Sequence, residues 1–144
     1  MARAEPAERT DCVVGLVMVS HGPLAQGMKD AAEMIMGPQE HLRAIGMRPD
    51  ADVDALRATI EAAAADVGTP DAVLILADLM GGSPANACAY LALAGTPVVC
   101  GMNLPMLLEV LAAREQSSAA ELAAVALHSG RVSILNLAQT LTSG

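Results

Sequence analysis

From Cys12 to Val19 the chain reads CVVGLVMV, with no polar position to mark an outward face. A run this short and this apolar is the pattern of a central parallel strand covered by helices on both sides. Ser20, His21, Gly22 and Pro23 end it. Leu24, Met28, Ala31 and Ile35 then recur at helical spacing, and Gly37-Pro38 stops that helix. His41 to Met47 reads as a weaker strand. Asp50 or Asp52 caps the next helix, whose stripe is Val53, Leu56, Ile60 and Ala64 and which ends near Gly68. Ala72 to Ala77 (AVLILA) is a second wholly apolar strand, with Asp78 at its end. The loop DLMGGSP leads into a helix expected from about Pro84 to Ala94, with the proline well placed for a first turn. Pro97 to Gly101 is a third apolar strand. Asn103 precedes a helix carrying Leu104, Leu107, Leu108 and Leu111. Ser118 and Glu121 fit a capping box for one more helix ending at Gly130, and Val132 to Leu137 reads as a final strand.

Strands that alternate with helices imply an α/β fold, a three-layer sandwich around a mostly parallel sheet with right-handed crossovers. In such sheets ligands bind beyond the carboxyl ends of the strands, where the strand order reverses. A flavodoxin-like order of 2-1-3-4 puts that reversal between the first and third strands. The residues leaving them are Ser20-His21-Gly22 and Asp78-Leu79-Met80-Gly81-Gly82-Ser83, so the topology predicts His21 and Asp78 facing one another across a crevice.

Composition narrows this further. The 144 residues suit one domain, 12–144, behind a disordered tail of residues 1–11. With 8 Lys and Arg against 16 Asp and Glu, the formal net charge is −8, so there is no overall positive field for nucleic acid or anionic lipid. No Trp or Phe and a single Tyr, Tyr90, also argue against modules that stack on bases. The core falls to aliphatic residues and the 9 Met. Cys12, Cys88 and Cys100 form no CxxC pair and read as thiols of a reducing compartment. No apolar run approaches the ~18 residues of a membrane span. Glu5, Glu8 and Asp11 stand against Arg3 and Arg9 ahead of the first strand, which is no basic leader. A cytoplasmic protein is expected.

His21 follows an apolar strand and has a glycine beside it, which permits close approach by a partner. An imidazole with one nitrogen held by a carboxylate presents the other as nucleophile or base, and Asp78 is the natural orienting carboxylate. Gly22 and the turn Gly81-Gly82-Ser83-Pro84 offer backbone amides, and Ser83 a hydroxyl, to phosphate oxygens. Taken singly, His21 reads as a loop residue, Asp78 as a cap and GGSP as a turn; their convergence on one sheet edge favours a phosphorylatable histidine with an anion cradle. His41 and His128 lie elsewhere and read as surface residues, and no spacing suggests a metal site. Met80, Met102 and Met106 fall near the crevice, where they are core filler or an adaptable docking surface.

Three segments, VSHGPLAQGMKDAAEMIMG, LADLMGGSPANAC and GMNLPMLLEVLAAR, closely resemble in order and spacing the IIA domain of mannose-family sugar phosphotransferase systems. The resemblance spans roughly Val13 to Arg131. It implies a flavodoxin-like fold and a homodimer that exchanges a terminal strand. It also implies that His21 accepts a phosphoryl group from the phosphocarrier HPr and passes it to a IIB protein or domain. Asp78 would orient His21, and Gly22, Gly81, Gly82 and Ser83 would cradle the phosphate, with no cofactor and no metal. The chain departs from the family pattern at Leu79, where a hydroxyl residue is usual, and at Pro23 and Met80, where aromatic residues are. With no IIB domain appended, the IIA domain is expected to be free-standing, which leaves a regulatory binding module as the alternative to a transport role. A small tetrapyrrole or metal chelatase and the phosphoryl-carrier subunit of dihydroxyacetone kinase rank lower.

Overall fold

Three apolar runs and one mixed run become the strands of a single parallel sheet in the computed structural model, which describes residues 13–143. The expected tail, residues 1–11, and Cys12 as the start of the first strand lie outside the described residues. The strands are β1 (Gly15–His21), β2 (Leu42–Met47), β3 (Val73–Ala77) and β4 (Val98–Cys100), in the order β2-β1-β3-β4. The connecting helices are α1 (Leu24–Met36), α2 (Val53–Val67), α3 (Ser83–Ala87), α4 (Ala89–Leu93), α5 (Leu104–Ala113), α6 (Ala119–Val132) and α7 (Leu137–Thr142).

Parallel strands have both faces covered, and the side chains of β1 and β3 divide accordingly. Leu16, Met18, Leu74 and Leu76 pack with Ala25 and Ala32 of α1, Leu107 and Val110 of α5, and Leu122 and Ala126 of α6. Val17, Val19, Val73 and Ile75 pack on the opposite side with Leu56, Ile60 and Val67 of α2 and with Ala87 and Cys88. All five residues of β3 are buried, whereas β2 at the sheet's edge buries only Leu42 and Ile45. Helices α2, α5, α6 and α7 begin at side chains that take up unpaired amides. Asp52, rather than Asp50, accepts from Ala55 N at 3.3 Å to start α2. Asn103 accepts from Met106 N at 3.0 Å to start α5, and its amide donates to Gly130 O at 3.0 Å, which ties α5 to α6. Ser118 and Glu121 form the expected capping box.

The structure departs from the sequence pattern in two places. The helix expected over Pro84 to Ala94 is broken at Cys88 into α3 and α4. There the Cys88 amide bonds Ala85 O, three residues back, and the Cys88 thiol donates to Pro84 O at 3.3 Å. The second departure is the final strand expected over Val132 to Leu137. Helix α6 runs through Val132, past its expected end at Gly130, and Asn136 caps α7 by accepting from Gln139 N at 3.3 Å. A strand needs a neighbour for its amides, and within the described residues this segment has none; Ile134 and Leu135 are 78% and 71% exposed.

Far from the carboxyl edge of the sheet, Arg114 is buried and clamps the segment entering β2. It donates to His41 O at 3.1 Å, to Glu40 O, and to Gln39 Oε1 at 3.3 Å. Arg114→Met keeps most of the side-chain bulk but leaves these acceptors short of donors. The expected loss is about 1–3 kcal/mol, read as a lower urea midpoint; an unchanged midpoint would show that the clamp carries no stability.

Candidate functional site

His21 is the last residue of β1 and the first exposed one after six buried positions. The backbone amide of Asp78 donates to Val19 O at 3.1 Å, which fixes the residue after β3 alongside the end of β1. One carboxylate oxygen of Asp78, Oδ2, then accepts the His21 backbone amide at 2.9 Å and lies 2.7 Å from His21 Nδ1. The other, Oδ1, accepts from Leu79 N at 2.9 Å. A carboxylate can only accept, so in the neutral ring the proton is assigned to Nδ1 and the lone pair to Nε2. The side chain of Asp78 is 6% exposed and that of His21 46%, so the acid is sheltered while the ring meets solvent. Burial works to raise the Asp78 pKa, but the hydrogen bonds from His21 and Leu79 and the nearby ring outweigh it and hold the carboxyl below its ordinary value.

The residues flanking the ring are bare backbone. Gly22 has φ +52° and its amide donates to Met47 O at 2.8 Å. Beneath it, Gly46 of β2 has no room for a side chain, because a Cβ there would run into Gly22 O. On the other flank a Cβ on Gly82 would sit 2.9 Å from His21 Cε1 and 3.5 Å from Nε2, so the main chain itself borders the free nitrogen. Gly81, at φ +88°, precedes it, and Ser83 follows as the first residue of α3. The structure thus brings together His21, Asp78, Gly22 and Gly82, with Gly81 and Ser83 adjacent in the chain. Because α3 has only five residues, any anion cradle here rests on local amides more than on a long helix dipole.

Sequence reasoning passed over Ser20, Gly46 and Met47. The hydroxyl of Ser20, fully buried, accepts from Ala25 N at 2.8 Å and donates to Gly22 O at 3.3 Å. A glycine inside a strand was the one available signal for Gly46, since it marks a close approach of backbone.

The other candidates disperse. His41 and His128 are exposed and away from the His21–Asp78 pair. Met102 and Met106 are buried in the core, and of the three methionines only Met80, 83% exposed, is presented at the surface. The expected methionine docking surface therefore reduces to Met80, next in the chain to the exposed Leu79. Burial, and then the neighbouring Cys100, pushes the Cys88 thiol up to about 12; Cys100 is also raised, by burial and by the charge of Asp78, so neither is an activated nucleophile. Among the described residues no group of three His, Cys, Asp or Glu converges as a metal site, and no helix is long and apolar enough to cross a membrane. Cavities of about 460 and 470 Å3 lie elsewhere, one against Val14, Asp71 and Ser118, the other between α2 and α4.

The family model described as the PTS system fructose IIA component, mannose type, matches residues 15–127. The chain belongs to this IIA family. It is 36% identical over 121 residues to the mannose-specific EIIAB component of Escherichia coli (strain K12), covering 82% of the chain but 38% of that relative. It is 36% identical over 109 residues to the sorbose-specific EIIA component of Lacticaseibacillus casei, covering 74% of the chain and 78% of that relative. Among solved structures, the EIIA component from Streptococcus agalactiae superposes with a TM-score of 0.80 at 25% identity, over 87% of this chain and 98% of that one. As a IIA-family member the chain has the mixed α/β fold that its pattern predicted, and the central sheet, expected to be mostly parallel, is parallel throughout among the described residues.

The hydrogen bonds on Asp78 have a consequence for acid stability. Its folded pKa lies below its unfolded value, so the stability it contributes is full above the ordinary carboxylate pKa of about 3.9 and is lost as pH falls through the folded value. The urea midpoint of Asp78→Asn is expected to lie below that of the wild type at pH 7, with the gap closing as pH falls from the ordinary carboxylate value through the lower folded one. A gap that stays constant over that range would show that ionisation of Asp78 does not contribute.

Proposed function

We propose that residues 12–144 form one cytoplasmic phosphocarrier domain in which His21 accepts a phosphoryl group from phospho-HPr and passes it to a IIB partner. The observation that carries this reading is an exposed imidazole whose Nδ1 is held by a sheltered carboxylate while its Nε2 borders the Gly82 main chain. A small-molecule enzyme encloses its substrate in a pocket; an imidazole on an open surface suits transfer between macromolecules. The Nε2 lone pair of His21 attacks the phosphorus of the donor phosphohistidine. The nitrogen–phosphorus bond of the donor breaks, and its electron pair returns to the donor ring. Positive charge that develops on the His21 ring is met by Asp78, and the amides from Gly81 to Ser83 compensate the phosphoryl oxygens; the Gly22 amide, expected to join them, is instead donated to Met47 O. Catalysis of this kind is positioning plus electrostatics, and no step uses a metal or an organic cofactor. Leu79 leaves the flank of the ring without a side-chain hydroxyl.

Incubation with phosphoenolpyruvate, enzyme I and HPr is expected to add one acid-labile phosphoryl group, read by intact-mass spectrometry. His21→Ala, at a half-exposed position, is expected to fold normally and take up none. Onward transfer to a IIB protein separates a transport carrier from a regulatory module, which holds its phosphoryl group and passes none on. No mass change with HPr visibly phosphorylated would overturn the carrier reading.

The same reading extends to a homodimer that exchanges the C-terminal segment. The support is a pair of unsatisfied features: Ile134, Leu135, Leu137 and Leu141 are all about 70% exposed or more, and among the described residues β4 has a neighbour on one side only. Sedimentation velocity is expected to give a dimer for the full chain and a monomer once residues 134–144 are removed; a monomeric full chain would contradict the exchange.

A further inference from the structure

We propose that Ser20 is a positioning residue for His21, acting through the turn that carries it. This rests on the reading of His21 as the phosphoryl acceptor.

Ser20 continues the inward row Leu16 and Met18 of β1, which packs against α1, α5 and α6. All three positions are fully buried, yet the third is a hydroxyl. Core packing alone favours an aliphatic residue there, because a buried hydroxyl costs free energy unless it is hydrogen-bonded. Both of its bonds go to the active turn: it accepts from Ala25 N in the first turn of α1 and donates to Gly22 O, next to His21. The turn has two further restraints, the Gly22 amide on Met47 O and the bare surface of Gly46 under Gly22 O. Asp78 accepts both the backbone and the ring of His21 through one oxygen, so a shift of the main chain at residue 21 moves both contacts together. Without the Ser20 hydroxyl, Gly22 O and Ala25 N lose a common partner and the turn is free to drift. In a reaction whose rate is set by placement, a displacement near 1 Å is worth on the order of a hundredfold.

The test measures phosphoryl uptake from phospho-HPr by the wild type, Ser20→Ala and Ser20→Thr, with Val14→Ala as a core truncation at the far end of the sheet. Ser20→Ala is expected to lower kcat about tenfold or more, with KM for phospho-HPr changed less than twofold. Ser20→Thr, which keeps the hydroxyl, is expected to restore most of the rate, and Val14→Ala to lower the thermal midpoint without this loss. A Ser20→Ala rate within twofold of wild type, or an equal loss in Val14→Ala, would overturn the proposal. If Ser20→Ala does not fold, Ser20→Thr against Ser20→Cys decides: threonine fast and cysteine slow supports it, and equal rates reject it. If the wild type takes up no phosphoryl group, the carrier reading fails on its own. Ser20 is then judged by the His21 ring nitrogen shifts of the neutral imidazole. Nδ1 protonated in the wild type and mixed tautomers in Ser20→Ala support the proposal; identical spectra reject it.

Discussion

Parallel pairing obliges neighbouring strands to end at the same edge of a sheet, and everything at the candidate site follows from that obligation between β1 and β3. Apart from the buried hydroxyl of Ser20, each strand is apolar until it leaves the core, so the first polar side chains to emerge, His21 and Asp78, do so side by side. The amide of Asp78 completes the ladder on Val19 O, which leaves its carboxylate within reach of both the main chain and the ring of His21. The third strand thus provides the orienting acid for the first, although the two residues are far apart in the chain.

The loops add to this by omission. Around the ring the chain uses glycine at 22, 46 and 82, and at 46 and 82 a side chain would collide with the carbonyl of Gly22 or with the imidazole itself. Nε2 is left with backbone on one side and open solution on the other. That combination suits a reacting nitrogen that must meet another protein. The cavities of about 460 and 470 Å3 are lined by other residues.

Much of this was legible in the residue pattern. Runs such as AVLILA admit few readings besides a buried strand, and once two such strands are placed in parallel the pairing of His21 with Asp78 follows from topology. Caps at Asn103 and Ser118 were legible because their chemistry is local. What escaped depends on contacts that only the folded chain shows. The break at Cys88 turns on a thiol taking Pro84 O, and no periodicity reports it. Val132 to Leu137 has the composition of a strand but finds no neighbour among the described residues, and its first residue joins α6 and its last opens α7. Met102 and Met106 read as core filler or as a docking surface beside the crevice, and their burial in the core decides for the first. Ser20 looked like a strand terminator, and only its burial reveals what its hydroxyl holds.

The double grip of Asp78 Oδ2 on His21 bears on how a partner distinguishes the two forms of such a carrier. A ring tethered at Nδ1, on a backbone tethered by the same oxygen, has little freedom to rearrange when a group is added to Nε2. A phosphoryl group brings roughly −1.5 to −2 of charge at neutral pH, onto a chain whose formal net charge is already −8. Donor and acceptor would then meet nearly the same surface contour under two different local fields. In a carrier built this way the message lies in potential rather than in shape, and ionic strength becomes a control on how sharply it is read.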